Sequence, residues 1–372
     1  MKRSMFKVLV LSLMAVALVA TGCSTGSKSS SSKAEVDKGA ISDLPQSIKE
    51  KNIKIMVIRK IGGDDHTAQF LAGAKQEGES MGFVVDTFSA NNDSAKFHDA
   101  IAQAMDKKYD GVIISHGDDA ATIEDVKKLT EKGIPVVTFD SVPEVSSVNG
   151  VTMTSQDDGQ LATLALDSMN KQLNGKGNIV YLWVDGFPPM VARNGIYQQF
   201  LKANTGIKEV ERFGVAASDT SVQTQNAVAA MLTKHGKGEI DAIFATWDAF
   251  AIGAARALKE AGREEIKIYG IDVSNADLQL MQEKDSPWSS TAAVDPKVIG
   301  AVNLRLLAKK IAGEDTPPKY DLKPTLITQV QLNSLGDGVN MESLNKIIPG
   351  WGMSTEFEED WMKALKKAHK SQ

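Results

Sequence analysis

DGVIISHGDDAATIEDVKKLTEKGIPVVTFDS, residues 110–141, spans one complete strand–helix–strand unit. Residues 111–115 form a short β-branched apolar run, which suits a strand buried on both faces. Within 122–132, Ile123, Val126 and Leu129 recur every three positions among charges, the pattern of an amphipathic helix, and Gly133 stops it. Residues 134–139 make the second strand, and Asp140 sits at its carboxyl end, where open parallel sheets hold their ligands. A second copy, DAIFATWDAFAIGAARALKEAGREEIKIYGIDVS, occupies 241–274. Asp110 maps onto Asp241 and His116 onto Trp247, both 131 positions on, and Asp140 maps onto Asp272 with one residue inserted. Two like units imply two like lobes, each offering a strand-end Asp and a strand-end His or aromatic. Such lobes close on something small.

The chain has 372 residues, enough for two ordinary domains, and its net charge of −5 argues against a nucleic-acid partner. At the N-terminus Lys2, Arg3 and Lys7 flank the apolar run 8–20, thirteen residues that are too few to span a bilayer and right for an export signal. The run ends in Ala20-Thr21-Gly22, followed by Cys23, the only cysteine. This arrangement resembles the bacterial lipobox, with Ala20 in place of the usual Leu; a plain secretory cleavage site is the alternative. The resemblance implies a signal peptide over 1–22 and lipidation of Cys23, so that the chain is exported and held to the cell membrane by its lipid. A single Cys excludes a disulfide scaffold. Residues 24–33 are almost wholly Ser, Lys, Gly and Thr, and a flexible tether is expected over 23–49.

Apolar strand runs and amphipathic helical runs alternate from residue 53 onward, which argues for an α/β fold with parallel sheets covered on both faces. The loop from Arg59 to His66 carries two glycines and several polar side chains at a strand's carboxyl end. Residues 325–332 look like a last strand. Beyond Asn333 the pattern decays, with a charged closing helix expected over 356–370.

The segments IPVVTFDS (134–141), IDAIFATWDAFAIGAARALKEAG (240–262), IYGIDVS (268–274) and DPKVIGAV (295–302) carry a family likeness. Over residues 53–332 the chain resembles type I periplasmic solute-binding proteins, the ribose- and galactose-binding branch that feeds ABC transporters. The resemblance implies two doubly wound parallel-sheet lobes joined by a three-crossover hinge near Asp157, Val294 and Thr325. The N-lobe would comprise 50–156 plus 295–325, the C-lobe 157–294 plus 326–335, and 336–372 would form a C-terminal extension. Family ligand contacts fall on Asp64, Asp65 and His66 after the first strand, on Ser115 or His116 after the third, and on Asp140. In the second lobe they fall on Arg193 (or, with a two-residue slip, Val191), Trp247 and Asp272. Two positions depart from the family pattern. The hinge Gln expected before Asp295-Pro296 is Val294, and the aromatic common in the first-lobe loop has only His66 nearby.

Each sugar hydroxyl both donates and accepts, so a carboxylate such as Asp140 or Asp272 can take two neighbouring hydroxyls while Arg193 donates to two oxygens. Trp247, Trp183 and Phe187 are candidates to stack on the apolar face of a ring. Plain alternatives exist for each: an Asp after a strand can be only a helix cap, Trp183 can be core, and the two His can be surface residues. Asp64, His66 and His116 lack metal-ligand spacing, so no metal is expected. Several Asp with one Arg suit a neutral sugar, a polyol or an amine-bearing sugar. No GxGxxG, GxSxG or His–Cys pair appears, so neither an enzyme nor a cofactor is expected. The expected partners are a small sugar or polyol, ABC permease subunits and, through the lipid, a membrane, with the protein itself monomeric. A ligand-sensing clamp for a chemoreceptor or sensor kinase, taking a sugar or an autoinducer-like furanose, is the competing function.

Overall fold

The computed structural model describes residues 38–370, apart from 42 and 337. The signal peptide and the lipidation at Cys23 lie outside the described residues. The tether expected to reach residue 49 gives way earlier. Gln46–Glu50 forms helix α1, and Leu44 and Ile48 are buried in a hydrophobic cluster of the first lobe.

The first sheet begins with β1 (Lys54–Arg59), β2 (Val84–Ser89), β3 (Gly111–Ser115), β4 (Val136–Phe139) and β5 (Thr152–Gln156). Helices α2 (Asp65–Ser80), α3 (Ser94–Asp106) and α4 (Ala120–Glu131) connect the first four. The chain then enters the second lobe through α5 (Asp158–Leu173), β6 (Gly177–Leu182), α6 (Pro188–Ala203), β7 (Ile207–Phe213) and α7 (Thr220–Lys234). It continues through β8 (Ala242–Ala245), α8 (Asp248–Glu260), β9 (Lys267–Ile271), α9 (Asn275–Gln282) and β10 (Trp288–Ala293). Helix α10 (Pro296–Ala312) and β11 (Lys319–Leu322) return to the first lobe, and β12 (Thr325–Thr328) goes back to the second. The strand orders are β2-β1-β3-β4-β5-β11 and β7-β6-β8-β9-β10-β12. Every pairing is parallel except β12 on β10. In each sheet the order reverses beside the first strand of the lobe, and the crevice at such a switch point is where doubly wound folds bind ligands.

Local chemistry explains the elements. All of β3 and all of β8 are buried, as expected of apolar strands covered on both faces. Aspartates open the helices: Asp64, Asp93, Asp119, Asp157 and Asp295 each accept a first-turn backbone N–H. Helices α2 and α10 cross where a Cβ on Gly73 or Gly300 would collide with the partner's backbone carbonyl, so neither position admits a side chain.

Two expectations need correction, and two elements were not foreseen. The strand expected over 325–332 stops at Thr328, because Thr328 and Gln331 form a capping box that starts α11 (Gln329–Ser334). Helix α9 has only eight residues and β11 buries only Leu322, so neither accumulates enough periodicity to be recognised. The C-terminal segment is not an appendage. Val339, Met341, Leu344, Ile348 and Trp351 join the second-lobe core, while Trp361, Met362 and Leu365 of α12 (Asp360–Lys370) join the first-lobe core. Arg305 Nη1 donates to the carbonyls of Ser354 and Glu356, and Glu77 accepts from both Arg305 and Lys366. Residues 351–356 therefore make a fourth passage between the lobes, beside the passages at 156–158, 293–296 and 322–325.

Candidate functional site

The carboxyl ends of both sheets face one cavity, with about 640 Å³ of empty space when its open mouth is included. Its two sides differ in chemistry. The first lobe supplies mainly polar groups: Arg59, Asp64, His66, Asn92, His116 and Asp140, with Gln156 at the first crossover. The second lobe supplies Arg193 and Asp272, and beside them an apolar wall of Val184, Phe187, Pro189, Met190, Ala216 and Trp247.

The two copies of the repeat place their acids alike. Asp140 donates its backbone N–H to Thr154 and Asp272 donates its own to Ala292, each to the next strand of its sheet. Both then turn into the left-handed region, with φ of 49° and 76°, as does His116 at 63°. Such backbone is uncommon outside glycine, costs energy, and gathers at functional sites. It turns the side chains toward the cavity instead of along the sheet.

Charge balances across the cleft. Arg193 is 2% exposed; its Nε donates to Asp158 Oδ1 at 2.8 Å, and its Nη1 to the Thr246 carbonyl at 2.6 Å and to Asp272 Oδ2 at 3.4 Å. Burial works against the Arg193 charge, but Asp272, Asp158 and Asp140 together hold its pKa above the ordinary value. Burial pushes the Asp158 carboxyl up to about 6 despite Arg193 beside it. Burial, followed by the Asp158 charge, raises Asp140 well above the usual carboxylate range, and Asp140 Oδ1 has no hydrogen-bond partner. Burial keeps the His116 imidazole neutral, with Arg59 adding to the effect. Behind the second-lobe wall, burial, followed by the Asp277 charge, raises Asp248 well above its ordinary range, and burial pushes Asp277 up to about 8.

The model for the periplasmic binding protein domain matches residues 48–315. This chain belongs to the periplasmic binding protein family. The binding protein is 25% identical over 265 residues to the ribose import binding protein of Escherichia coli, covering 69% of this chain and 84% of the relative. Among solved structures it is similar to a sugar ABC transporter protein from Yersinia enterocolitica, with 49% identity, a TM-score of 0.85, and 88% of this chain and 99% of that one covered. It is also similar to a 5-methylthioribose transporter solute-binding protein from Thermotoga lettingae, solved with 5-methylthioribose, at 31% identity, a TM-score of 0.80, and 87% and 99% coverage. These relatives are transport binding proteins rather than enzymes, and their two-sheet α/β architecture is the one described above.

The binding protein brings together Asp64, His66, His116, Asp140, Arg193, Trp247, Asp272 and Phe187 at the cavity. Three other sequence candidates do not line it. Ser115 is fully buried behind His116, with its hydroxyl 2.8 Å from His116 Nδ1. Asp65 caps no cavity wall; its Oδ2 accepts the backbone N–H of Asn275 at 2.9 Å and so links the two lobes beside a neighbouring groove. Trp183 stacks on Tyr181 and donates its indole N–H to the Met190 carbonyl at 2.8 Å, so it supports the wall from behind. Val191, the two-residue alternative to Arg193, is half-exposed and absent from the lining. At the hinge, Asp157 caps α5, Val294 is buried in the first-lobe core, and Thr325 pairs with Ala293.

Arg59, Asn92 and Gln156 are polar lining residues that the sequence did not single out. Arg59 closes β1 and opens the polar loop already noted, so its position was visible even though its inward direction was not. Gln156 Nε2 lies 3.4 Å from Asp272 Oδ1, across the first crossover. A hinge glutamine is thus present on the crossover opposite the one where the family pattern put it.

Proposed function

We propose that the cleft captures a neutral sugar or polyol bearing an apolar flank, and that the protein delivers it to an ABC permease without chemical change. The observation that carries this reading is the two-sided cavity: a mainly polar first-lobe wall with Arg59, Asp64 and Asp140 faces a second-lobe wall in which Arg193 and Asp272 stand beside six apolar or aromatic side chains. Arg59 and Arg193 stand against Asp64, Asp140 and Asp272, so opposite charges nearly balance and little net charge is left to attract an ion. That supports an uncharged solute over a phosphate or a dicarboxylate. The apolar wall would cover a ring face and a substituent lacking hydroxyls, as Trp and Phe do elsewhere for sugar C–H groups. The Thermotoga lettingae relative was solved with a pentose whose 5-position carries a methylthio group, which has this two-sided character.

A thermal-shift panel of D-ribose, xylitol, myo-inositol, D-allose and 5-methylthioribose tests the reading. A ligand at a hundred times its dissociation constant adds about 2.7 kcal/mol, readily seen as a melting shift. The substituted pentose is expected to give the largest shift. A larger shift with unsubstituted ribose or xylitol would remove the apolar flank from the account, and no shift with any polyhydroxylated solute would remove the account itself.

The reading includes a lipid anchor on Cys23, supported by the export signal that precedes it. Cys23→Ser is expected to move the protein from the membrane fraction to the soluble one with ligand affinity unchanged. Wild-type protein found wholly in the soluble fraction would count against the anchor.

A further inference from the structure

Arg59 is 3% exposed and spends its donors on three different partners. Its Nε donates to Thr67 Oγ1 at 3.1 Å, its Nη1 to Ser115 Oγ at 3.1 Å, and its Nη2 reaches His66 Nδ1 at 3.3 Å. The guanidinium lies over the Phe70 ring, 4.8 Å from its centroid, and Phe70 in turn stacks on Phe139. These contacts fix its orientation. A guanidinium has N–H donors and no acceptor. His66 Nδ1 must therefore be the lone-pair nitrogen, which leaves the ring neutral with its one hydrogen on Nε2. An imidazolium would set Nδ1–H against another donor. His66 Nε2 is buried at the cavity and has no hydrogen-bond partner.

The same logic continues to the next histidine. Ser115 Oγ accepts from Arg59, so its own hydrogen is available for His116 Nδ1 at 2.8 Å. With Ser115 as the donor, the hydrogen of His116 lies on Nε2, which faces Asp140 Oδ2 at 3.8 Å. Hydrogen-bond polarity in this wall thus runs outward from Arg59.

We propose that Arg59 is a positioning residue that fixes His66 as the Nε2–H tautomer, so that His66 offers a ligand in the cleft a donor and never an acceptor. The proposal rests on the cleft being the solute site, and it sharpens the solute's description. At the position facing His66 the solute carries an oxygen lone pair, whether from a ring oxygen or a hydroxyl, and an ammonium there is rejected. Asp140 Oδ1 and Gln156 Oε1, the other unpartnered buried oxygens at the cavity, accept, so they face solute hydroxyl hydrogens. The first-lobe wall therefore asks for one acceptor and two donors. This polarity keeps an amine away from the His66 position and leaves the Asp140 and Gln156 positions to solute donors.

Long-range proton–nitrogen correlation spectra of ligand-free, histidine-labelled protein test the proposal, with His66→Gln used to assign the resonance among the five histidines. Wild-type His66 is expected to show the Nε2–H pattern and to stay neutral from pH 5 to pH 8. In Arg59→Met the pattern is expected to become a mixture of tautomers or to titrate within that range. The panel sugar with the largest thermal shift is expected to bind that variant at least about tenfold more weakly. An Nδ1–H or imidazolium pattern in the wild type at pH 7 overturns the proposal, and so does an unchanged tautomer in Arg59→Met. Should Arg59→Met fail to fold, the wild-type spectrum still decides. A panel in which no sugar binds would strike the solute reading and leave the tautomer result standing.

Discussion

Asp140→Ala and Asp272→Ala should each weaken binding of the best panel ligand about ten- to several-hundred-fold by calorimetry, at 1.5–3 kcal/mol per charge-assisted hydrogen bond lost. Each carboxylate stands at the end of a strand in its lobe, held in a left-handed conformation that aims it into the cavity. A solute enclosed there has left its water behind, so a hydroxyl deprived of its acceptor finds no replacement. The repeat supplies matched controls. Asp110 and Asp241 immediately precede β3 and β8, at the far ends of those strands from the site, and each accepts a backbone N–H, from Lys54 at 2.9 Å and from Asn178 at 2.7 Å. Their Ala variants should lower stability by about 1 kcal/mol and leave affinity within about twofold. Controls as damaging as Asp140→Ala and Asp272→Ala would mean that the solute lies elsewhere.

Arg193→Met should cost about 3–5 kcal/mol of stability at neutral pH, because it strands buried carboxylates that the guanidinium now satisfies. Asp158 and Asp272 lose their cation and the Thr246 carbonyl loses its donor, all within a site that is almost wholly buried. The loss depends on pH with a definite sign. Asp158 in the wild type titrates at about 6, above its unfolded range, because burial outweighs the Arg193 charge. A carboxyl with a raised folded pKa contributes its full stability below the unfolded pKa and loses it as pH climbs through the folded one. Without Arg193 that folded pKa moves higher, so above about pH 6 the variant falls behind the wild type by up to about 1.4 kcal/mol per pH unit. Urea melts at pH 5 and pH 8 check this. The gap between variant and wild type should be distinctly wider at pH 8, and an equal gap at the two pH values would show that Arg193 does not hold down buried carboxyls.

The architecture is legible in the sequence because strand and helix periods alternate over most of residues 53–332, and the internal repeat pairs Asp140 with Asp272. Side-chain direction was harder. Trp183 and Trp247 both follow buried strands, yet Trp247 lines the cavity and Trp183 turns back to brace Met190. Nothing in their spacing distinguishes them. Arg59 was hidden for a related reason. It is the last residue of β1, and its contacts with Thr67, Ser115, His66 and the Phe70 ring hold it inward. The C-terminal segment was opaque because its buried residues are scattered between turns, so neither a period of two nor one of 3.6 develops. Its role comes from two anchors, Trp351 in one lobe and Trp361 in the other, and that is a property of three-dimensional placement.

Solution scattering with and without the panel ligand of largest thermal shift tests the central claim, that a solute is captured between moving lobes. The cavity is walled by both lobes, and Asp65 accepts the Asn275 N–H across their junction, so a solute can enter only when the lobes part. A ligand that touches both walls favours the closed arrangement over the open one by its extra contacts there. The account predicts a larger radius of gyration for ligand-free protein, falling at saturation as the lobes close on the solute. An identical radius with and without saturating ligand would contradict it.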